Sequence, residues 1–409
     1  MTTTPPFRAD EVGSLLQPAA LKDARAQFQA GNLDAEALGD LEDKCIRTVV
    51  AKQEAAGLQA VTDGEFRRAW WHFDFLAGLN GVDWVRGADS IQFAGVETKS
   101  ESIAVTGKVS FGDHPMLEHF KFLKSVAKVT PKMTIPAPSV LHFRGGRDTI
   151  SQEVYPDLDN LFADTAEAYA QAVRSFYDAG CRYLQFDDTV WAYLCSEKEC
   201  QFVRDRGEDP EALKLAYAGM INHALAARPA DMTITTHVCR GNFRSSWISE
   251  GGYEPVAEIL LSQLNYNGYF LENDTERAGG FEPLRFLPKG DKRVALGLIT
   301  SKFGVLESRD AILRRLEEAQ AFAPLEQFCL SPQCGFASTE EGNVLSEEEQ
   351  WRKLAVPRCV GKRLRRNFVV GKRLRTPPKS VWSGIPHFHE HRFDINEITY
   401  SVKFPNGKQ

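Results

Sequence analysis

Short apolar runs that end in polar or glycine-containing turns recur along this chain, and most are followed by a long helical pattern. Strand and helix alternating in eight rounds predict an α/β fold, a (β/α)8 TIM barrel. The eight runs end at residues 12–14, 61–65, 134–138, 184–188, 236–239, 269–272, 296–300 and 329–334. Helices are predicted over residues 33–56, 158–179, 210–227 and 308–321, with Ser308 as an N-cap.

Two segments depart from the alternation. Residues 102–111 read as an additional strand or hairpin inserted after the second run. From about residue 356 the residue pattern changes, and the sequence VGKRLR occurs twice, at 360–365 and 370–375. We therefore predict a catalytic barrel over residues 1–355 and an irregular, basic C-terminal tail over residues 356–409.

The tail admits several interpretations. Residues 351–389 hold eleven Lys or Arg and no Asp or Glu, although the whole chain has a net charge of −6. A basic arm for nucleic acid or nuclear import is one reading, but few aromatic residues are interleaved. A divergent or aberrant C-terminus is favoured. The repeat at 360–365 could pack as an amphipathic helix, and His387, His389 and His391 could bind a metal, although a solvated polar tail is preferred.

Composition limits the class of protein. Hydrophobic residues make up 43% and charged residues 25%, which is typical of a soluble enzyme. There is no apolar run of about 18 residues and no apolar N-terminal region of the secretory kind, so we expect neither a membrane span nor a signal peptide. The eight cysteines show no even framework, so we expect reduced thiols and a cytoplasmic location.

The polar residues gather at the predicted strand ends, where barrel enzymes place their active sites. His237 and Cys239 form an H-x-C pair, Glu272 ends the next strand, and Cys334 ends another. One His, two Cys and one carboxylate suit tetrahedral Zn²⁺. The alternative is unrelated polar residues and a buried thiol. Zinc held by thiolates is a poor activator of water but can hold a substrate thiol as thiolate, which favours alkyl transfer to sulfur.

Carboxylates end two other predicted strands. Asp63 and Glu65 flank a glycine, and Asp187 and Asp188 are adjacent. They could bind the ammonium group of an amino acid, or they could cap the helices that follow. The backbone and hydroxyl of the Gly13-Ser14 turn could bind a carboxylate.

The aromatic run at residues 70–73, which begins with Trp70, could stack on a flat heterocycle or could simply pack in the core.

Taken together, the strand-end motifs resemble the cobalamin-independent methionine synthase family. The motifs are R-A-D-x-V-G-S, T-D-G-E-F-R-R, Y-L-Q-F-D-D, T-H-V-C-R-G-N, F-L-E-N-D-x-E-R-x-G and S-P-Q-C-G, and they cover roughly residues 7–354. The resemblance implies that His237, Cys239, Cys334 and Glu272 bind zinc, with Asp274 as a less favoured carboxylate. It also implies that Gly13 and Ser14 bind the carboxylate of homocysteine and that Glu65 and Asp187 bind its amino group.

The chain departs from the family at three places. It lacks the additional N-terminal barrel of long members, which helps to bind a polyglutamylated folate, so a corrinoid methyl donor is an alternative. Lys302 stands near the position of a histidine linked to proton delivery. A lysine there could hold an acidic group of the donor or act as an acid. After Leu354 the expected closing helix gives way to the basic repeat.

The predicted function is a zinc-dependent methyltransferase in methionine biosynthesis. It would pass a methyl group from methyltetrahydrofolate or a methylcorrinoid to the thiol of homocysteine, giving methionine. Glu65, Asp187 and Lys302 are the candidate catalytic residues, and Gly13, Ser14, Glu65, Asp187 and Trp70 are the candidate substrate-binding residues. The alternatives are zinc-dependent alkylation of a different thiol, such as coenzyme M, or a zinc-binding barrel without catalysis.

Overall fold

The structure is a computed structural model that describes residues 4–86, 92–93, 96–97, 101–357, 388–395 and 398–405. The chain divides into two compact units, residues 1–363 and 364–409. Residues 358–387 lie outside the described part, and with them the repeat at 360–365 and His387. The predicted boundary at 355/356 therefore stays a prediction.

The first unit is built on a parallel sheet whose strands follow one another in chain order. Helices connect most neighbouring strands and lie against them, which is the arrangement that alternating strand and helix patterns favour. Six strands pair in the order β7-β8-β9-β10-β11-β12. They are β7 (Met133–Pro136), β8 (Tyr183–Asp188), β9 (Thr233–Val238), β10 (Gly268–Glu272), β11 (Arg293–Ile299) and β12 (Phe328–Pro332).

The sheet is extended at both of its ends. At one end, β1 (Ala60–Val61) pairs in parallel with β6 (Thr130–Pro131), which runs directly into β7. At the other end, Ala9 forms a parallel bridge to Leu330 in β12. These contacts confirm a parallel α/β fold. Closure of the sheet into an eight-stranded barrel is not established by the paired residues alone.

Besides the helical residues 347–357, the described part of the chain has ten α-helices, and four of them match the predicted long helices. α2 begins after the N-cap Asp34, and α10 begins after Ser308, whose side chain accepts a hydrogen bond from the backbone N–H of Ala311, as predicted. The helices are α1 (Ala19–Gln29), α2 (Ala35–Ala56), α3 (Phe73–Leu76), α4 (Pro115–Val126), α5 (Val140–Phe143), α6 (Leu158–Asp178), α7 (Val190–Tyr193), α8 (Glu197–Asp205), α9 (Pro210–Ala226) and α10 (Arg309–Ala319).

The core lies on both faces of the parallel strands. Every residue of β7, β8, β9, β10 and β12 is buried, as expected for strands covered on both sides. One apolar cluster joins Leu15 to Ile46 and Val49 of α2 and to Phe336 beyond β12. The first and last parts of this unit therefore share one core. No helix among the described residues is both long and apolar enough to cross a bilayer.

The predicted inserted strand is present as β5 (Glu101–Ser110), which pairs antiparallel with β2 (Asn80–Arg86). The close approach of the strands explains Gly81, since a Cβ atom there would lie 2.6 Å from the backbone of Gly107. Two short strands, β3 (Gln92–Phe93) and β4 (Val96–Glu97), pair between them in the chain.

The C-terminal part of the chain differs from the sequence prediction in two respects. Residues 347–357 are helical, so the helix continues past Leu354 as far as this stretch is described. In the second unit, β13 (Phe388–Ile395) and β14 (Ile398–Pro405) form an antiparallel pair, so this part of the tail is regular, which corrects the prediction. The physical reason is the alternation of Ile398, Tyr400, Val402 and Phe404 with other residues, which suits a strand.

Candidate active site

Four candidate metal ligands converge at the carboxyl ends of three strands of the sheet, β9, β10 and β12. His237 belongs to β9, with Cys239 directly after that strand, Glu272 is the last residue of β10, and Cys334 follows β12. Their ligand atoms all lie within 4.8 Å of one another, and all four residues are buried. The Sγ atoms of Cys239 and Cys334 are 3.4 Å apart. Two sulfurs, one imidazole and one carboxylate suit a tetrahedral zinc ion.

The two thiols and the imidazole of the cluster shift one another's pKa values. Burial raises the pKa of the Cys334 thiol, but the hydrogen bond from Cys239 and the neighbouring His237 outweigh it and lower this pKa to about 5. The hydrogen bond to Cys334, followed by burial, holds the pKa of Cys239 well above its usual range. Burial lowers the pKa of His237, but Cys334 and Asp187 raise it to about 10.

Neighbouring groups orient the candidate ligands. Oε1 of Glu272 accepts a hydrogen bond of 2.7 Å from the backbone N–H of Arg240, and Oε2 lies 3.3 Å from the guanidinium of Arg277. Nδ1 of His237 lies 3.5 Å from the carboxylate of Asp187. Imidazole ligands of metals commonly have such a carboxylate partner. Asp274 lies outside the cluster, 3.7 Å from the guanidinium of Arg277, so the geometry favours Glu272 as the carboxylate ligand.

A cavity of about 750 Å³, counting its open mouth, adjoins the cluster. Three of the candidate ligands form part of its wall, together with four of the predicted substrate-binding residues. The ligands are His237, Cys239 and Cys334, and the substrate-binding residues are Ser14, Glu65, Trp70 and Asp187. Sequence reasoning placed all of these residues except Trp70 at strand ends, and the structure brings them to one cavity.

The acidic part of the wall is held by short hydrogen bonds. Oε1 of Glu65 accepts a hydrogen bond of 2.7 Å from the Thr134 hydroxyl and lies 3.7 Å from the Arg68 guanidinium. Burial raises the pKa of Glu65 to about 7; Arg68 opposes this shift and Asp187 adds to it. The Asp187 carboxylate accepts a hydrogen bond of 2.7 Å from the side chain of Gln185. Two buried carboxyl groups on one wall suit a ligand with an ammonium group.

Gly13 and Ser14 lie beside this acidic wall. A Cβ atom at Gly13 would lie 2.7 Å from Cγ2 of Thr134 and 3.2 Å from Oε1 of Glu65, so only glycine avoids the crowding. The Ser14 hydroxyl accepts a hydrogen bond of 3.3 Å from the backbone N–H of Ala337. The carbonyl oxygen of Ser14 accepts a hydrogen bond of 2.8 Å from the backbone N–H of Phe336.

The other two predicted carboxylates have local partners. Asp63 accepts a hydrogen bond from the backbone N–H of Glu65 at 2.8 Å. Asp188 accepts hydrogen bonds from the backbone N–H of Val190 and the hydroxyl of Ser139, each at 2.8 Å. The sequence left two roles open for Asp63 and Asp188, binding of an ammonium group or a local structural role. These contacts match the local structural role.

Aromatic residues also line the cavity. Trp70, Trp71 and His72 line it, and Nε1 of Trp70 donates a hydrogen bond of 2.6 Å to Glu101 of the inserted strand β5. The rings of Trp71 and His72 stack with their centroids 4.5 Å apart. Phe73 is buried behind them.

Lys302 is buried below the loop that follows Cys239, and it is not among the residues that line the described cavity. Its Nζ atom donates to the carbonyl oxygens of Gly241 and Ser246, at 3.1 and 3.3 Å, and to Oδ1 of Asn242 at 2.9 Å. Arg244 and Ser245 in this loop have φ values of 46° and 66°, a backbone conformation that such residues rarely adopt. Lys302 therefore stabilises an unusual loop.

Asn242 and Asn343 complete this network, and sequence reasoning assigned neither of them a role. The Asn242 side chain donates to the carbonyl oxygen of Gly335, next to Cys334, at 2.6 Å. Asn343 donates to Asn242 and to the carbonyl oxygen of Ser301. The only sequence signal that Asn242 belongs to the site was its place in the T-H-V-C-R-G-N motif. Asn343 had no such signal, because it contacts the site only through residues that are distant in the chain.

Comparison with known protein families decides the identity of the fold. Residues 7–355 match the model of the catalytic domain of cobalamin-independent synthases. The chain belongs to the cobalamin-independent methionine synthase family. This is a family of methyltransferases, and the resemblance seen in the sequence is confirmed.

Individual relatives are similar over most of this chain. The uncharacterized protein YxjH of Bacillus subtilis is 53% identical over 350 residues, which cover 85% of this chain and 92% of that protein. A structure from Listeria monocytogenes, provisionally named as a vitamin-B12-independent methionine synthase, has a TM-score of 0.71 and 43% identity, covering 88% of this chain and 98% of that one.

A more distant structure shares the fold. The B12-independent methionine synthase from Shewanella sp. W3-18-1, in complex with selenomethionine, has a TM-score of 0.67 and 20% identity, covering 89% of this chain and 99% of that one.

Proposed function

We propose that this protein is a zinc-dependent methyltransferase, built on a closed (β/α)8 barrel, that transfers a methyl group to the thiol of homocysteine and gives methionine. The observation that carries the proposal is one cavity whose wall holds three members of the metal cluster together with Ser14, Glu65 and Asp187; the three are His237, Cys239 and Cys334. A thiol-bearing amino acid needs both parts, because its sulfur and its ammonium group are bound by different chemistry.

The residues of the amino-acid site have complementary tasks. Glu65 and Asp187 bind the ammonium group, and the Gly13-Ser14 turn binds the carboxylate. Binding both groups fixes the direction in which the side-chain sulfur points, which removes much of the entropic cost of the reaction. The selenomethionine complex of the Shewanella relative supports a site for the product in this family.

The metal cluster supplies the activation of the nucleophile. The chemistry that zinc supplies when bound here is to hold a thiol as its nucleophilic thiolate at neutral pH. Asp187 orients the imidazole of His237, and Arg240 and Arg277 orient Glu272. The apolar part of the wall, which includes Trp70, Val140 and Ile248, keeps water away from the reacting sulfur.

The decisive experiment is a methyl-transfer assay on the full chain loaded with zinc. Homocysteine is offered with methyltetrahydrofolate and, separately, with methylcobalamin, and methionine is measured. We expect methionine from one of the two donors and none after the zinc is removed with a chelator. A protein that holds one zinc per chain and forms no methionine from either donor would contradict the proposal.

A further inference from the structure

The charged groups on the cavity wall are unevenly placed. Glu65 and Asp187 supply negative charge beside Ser14, whereas Arg144 is the only Arg or Lys among the residues lining the described cavity. Lys302, the cation predicted from the sequence to reach the donor, is occupied by the loop after Cys239. An anionic group in the cavity would therefore meet Arg144.

Arg144 is held in a fixed orientation. Its Nη1 atom lies 3.1 Å from Oε2 of Glu199, which is buried, and its guanidinium carbon lies 4.1 Å from the centre of the Tyr193 ring. About a third of the side chain, 33%, is nevertheless exposed. A guanidinium carries five N–H donors, so these contacts leave donors for a further acceptor.

The surface beside Arg144 is flat and aromatic. The stacked rings of Trp71 and His72 share the cavity wall with it. Burial, with a smaller contribution from Arg144, lowers the pKa of His72 to about 3, so the imidazole is neutral at physiological pH. The wall thus combines an uncharged aromatic face with one cation.

The amino-acid substrate does not account for this arrangement. Its carboxylate and ammonium group are attached to the same carbon atom, so their partners must be adjacent. Gly13 and Glu65 are adjacent, since a Cβ atom on Gly13 would lie 3.2 Å from Oε1 of Glu65. This pair serves both groups of the amino acid and leaves Arg144 for the second substrate.

We propose that Arg144 is a specificity-determining residue that binds an anionic group, a carboxylate or a phosphate, on the methyl donor while the donor lies against Trp71 and His72. This inference rests on the proposed function, because it names the chemical class of the donor for the same site.

The test is equilibrium dialysis of donors against the zinc-loaded full chain without homocysteine, so that binding is measured apart from turnover. The carboxylate arm compares 5-methyltetrahydrofolate with 5-methyltetrahydropterin, which lacks the glutamate. The phosphate arm compares methylcobalamin with methylcobinamide, which lacks the nucleotide phosphate. The variants are Arg144→Gln and Arg144→Lys, with Arg147→Gln as the control because that guanidinium donates to the carbonyl oxygen of Tyr155.

We expect Arg144→Gln to raise the Kd of one anionic donor by about tenfold to a hundredfold, the usual range for losing a hydrogen bond to a charged group. The counterpart that lacks the anionic group should bind the variant and the wild type equally. Arg144→Lys should recover part of the affinity, and Arg147→Gln should bind like the wild type. The pair of donors in which Arg144→Gln weakens binding identifies the anionic group as a carboxylate or as a phosphate.

Three results would overturn the inference: binding of both anionic donors to Arg144→Gln within twofold of the wild type, an equal loss for the counterpart that lacks the anionic group, or no binding of any donor to the wild type. A rise in the KM for homocysteine with an unchanged donor Kd would assign Arg144 to the amino acid instead. Donor binding that depends on Arg144 without any methionine formation would contradict the proposed function alone.

Discussion

The sulfur atoms of Cys239 and Cys334 lie 3.4 Å apart, although 95 positions of the chain separate the two residues. One cysteine follows β9 and the other follows β12, so the contact exists only because the ends of these strands meet at one edge of the sheet. With His237 and Glu272 they provide the donor set on which the proposed activity depends.

Replacing one cysteine of this pair tests the metal site. We expect Cys334→Ser to weaken zinc binding by more than about a hundredfold, since changes to supporting groups alone cost about tenfold to a hundredfold. Competition with a chromogenic chelator measures the affinity. Cys181→Ser is the matched control, because that buried thiol donates to the carbonyl oxygen of Tyr183 at the start of β8. Equal zinc affinity in Cys334→Ser and the wild type would exclude Cys334 as a ligand.

A variant of Lys302 can show whether this residue stabilises the loop after Cys239 or takes part in catalysis. Lys302→Met removes three hydrogen bonds to buried oxygen atoms, so we expect the free energy of unfolding to fall by about 2 kcal/mol or more. Urea denaturation measures the change. Lys214→Met serves as the control, because that buried lysine donates to one backbone carbonyl and to the exposed Glu211. A Lys302 variant with unchanged stability and a lost kcat would restore the catalytic interpretation.

The raised pKa of Glu65 predicts a pH dependence for the amino-acid site. Since burial raises this pKa to about 7, Glu65 is mostly neutral at pH 6 and mostly charged at pH 8. The affinity for an ammonium group should therefore rise by about tenfold over this interval, as the ionised fraction does. Methionine is the suitable ligand for calorimetry because it has no thiol to titrate. Glu65→Gln should abolish the dependence, and a pH-independent affinity in the wild type would show that Glu65 does not bind the ammonium group.

Gly13 provides a steric test of the same site. Gly13→Ala places a methyl group 2.7 Å from Cγ2 of Thr134, so the Thr134–Glu65 contact must shift. We expect the KM for homocysteine to rise by about tenfold or more, as small displacements of positioned groups usually cause. Gly219→Ala in α9 is the control, since no neighbouring atom lies within 4 Å, and it should stabilise the helix by up to about 1 kcal/mol. An unchanged KM in Gly13→Ala would remove Gly13 from the site.

Local patterns were enough to predict much of the fold. Ser308 precedes an amphipathic segment, and its hydroxyl caps α10 as expected. His237 and Cys239 are two positions apart, and alternation along a strand directs such residues to the same side. The same argument could not choose between Glu272 and Asp274, because these residues are also two positions apart. Only the three-dimensional positions of the other three ligands separate them, since Glu272 lies with those ligands and Asp274 does not.

Long-range contacts account for what the sequence could not show. Nothing near Lys302 in the chain indicates that the loop after Cys239 folds over its ammonium group. Arg144 follows α5, and Glu199, which orients it, comes from α8. The proposed roles of the site residues, the identity of the metal and the closure of the barrel stay predictions until the measurements above are made.

The meeting of Ser14 with Phe336 and Ala337 has a consequence for biosynthesis. The proposed amino-acid site is built from the first segment of this unit and from the turn after β12. A nascent chain that has emerged only as far as β11 therefore lacks both Cys334 and the partners of Ser14. Because domains generally fold as units while the chain is being synthesised, metal loading and substrate affinity should appear together and late, after the ribosome has released the residues that follow β12.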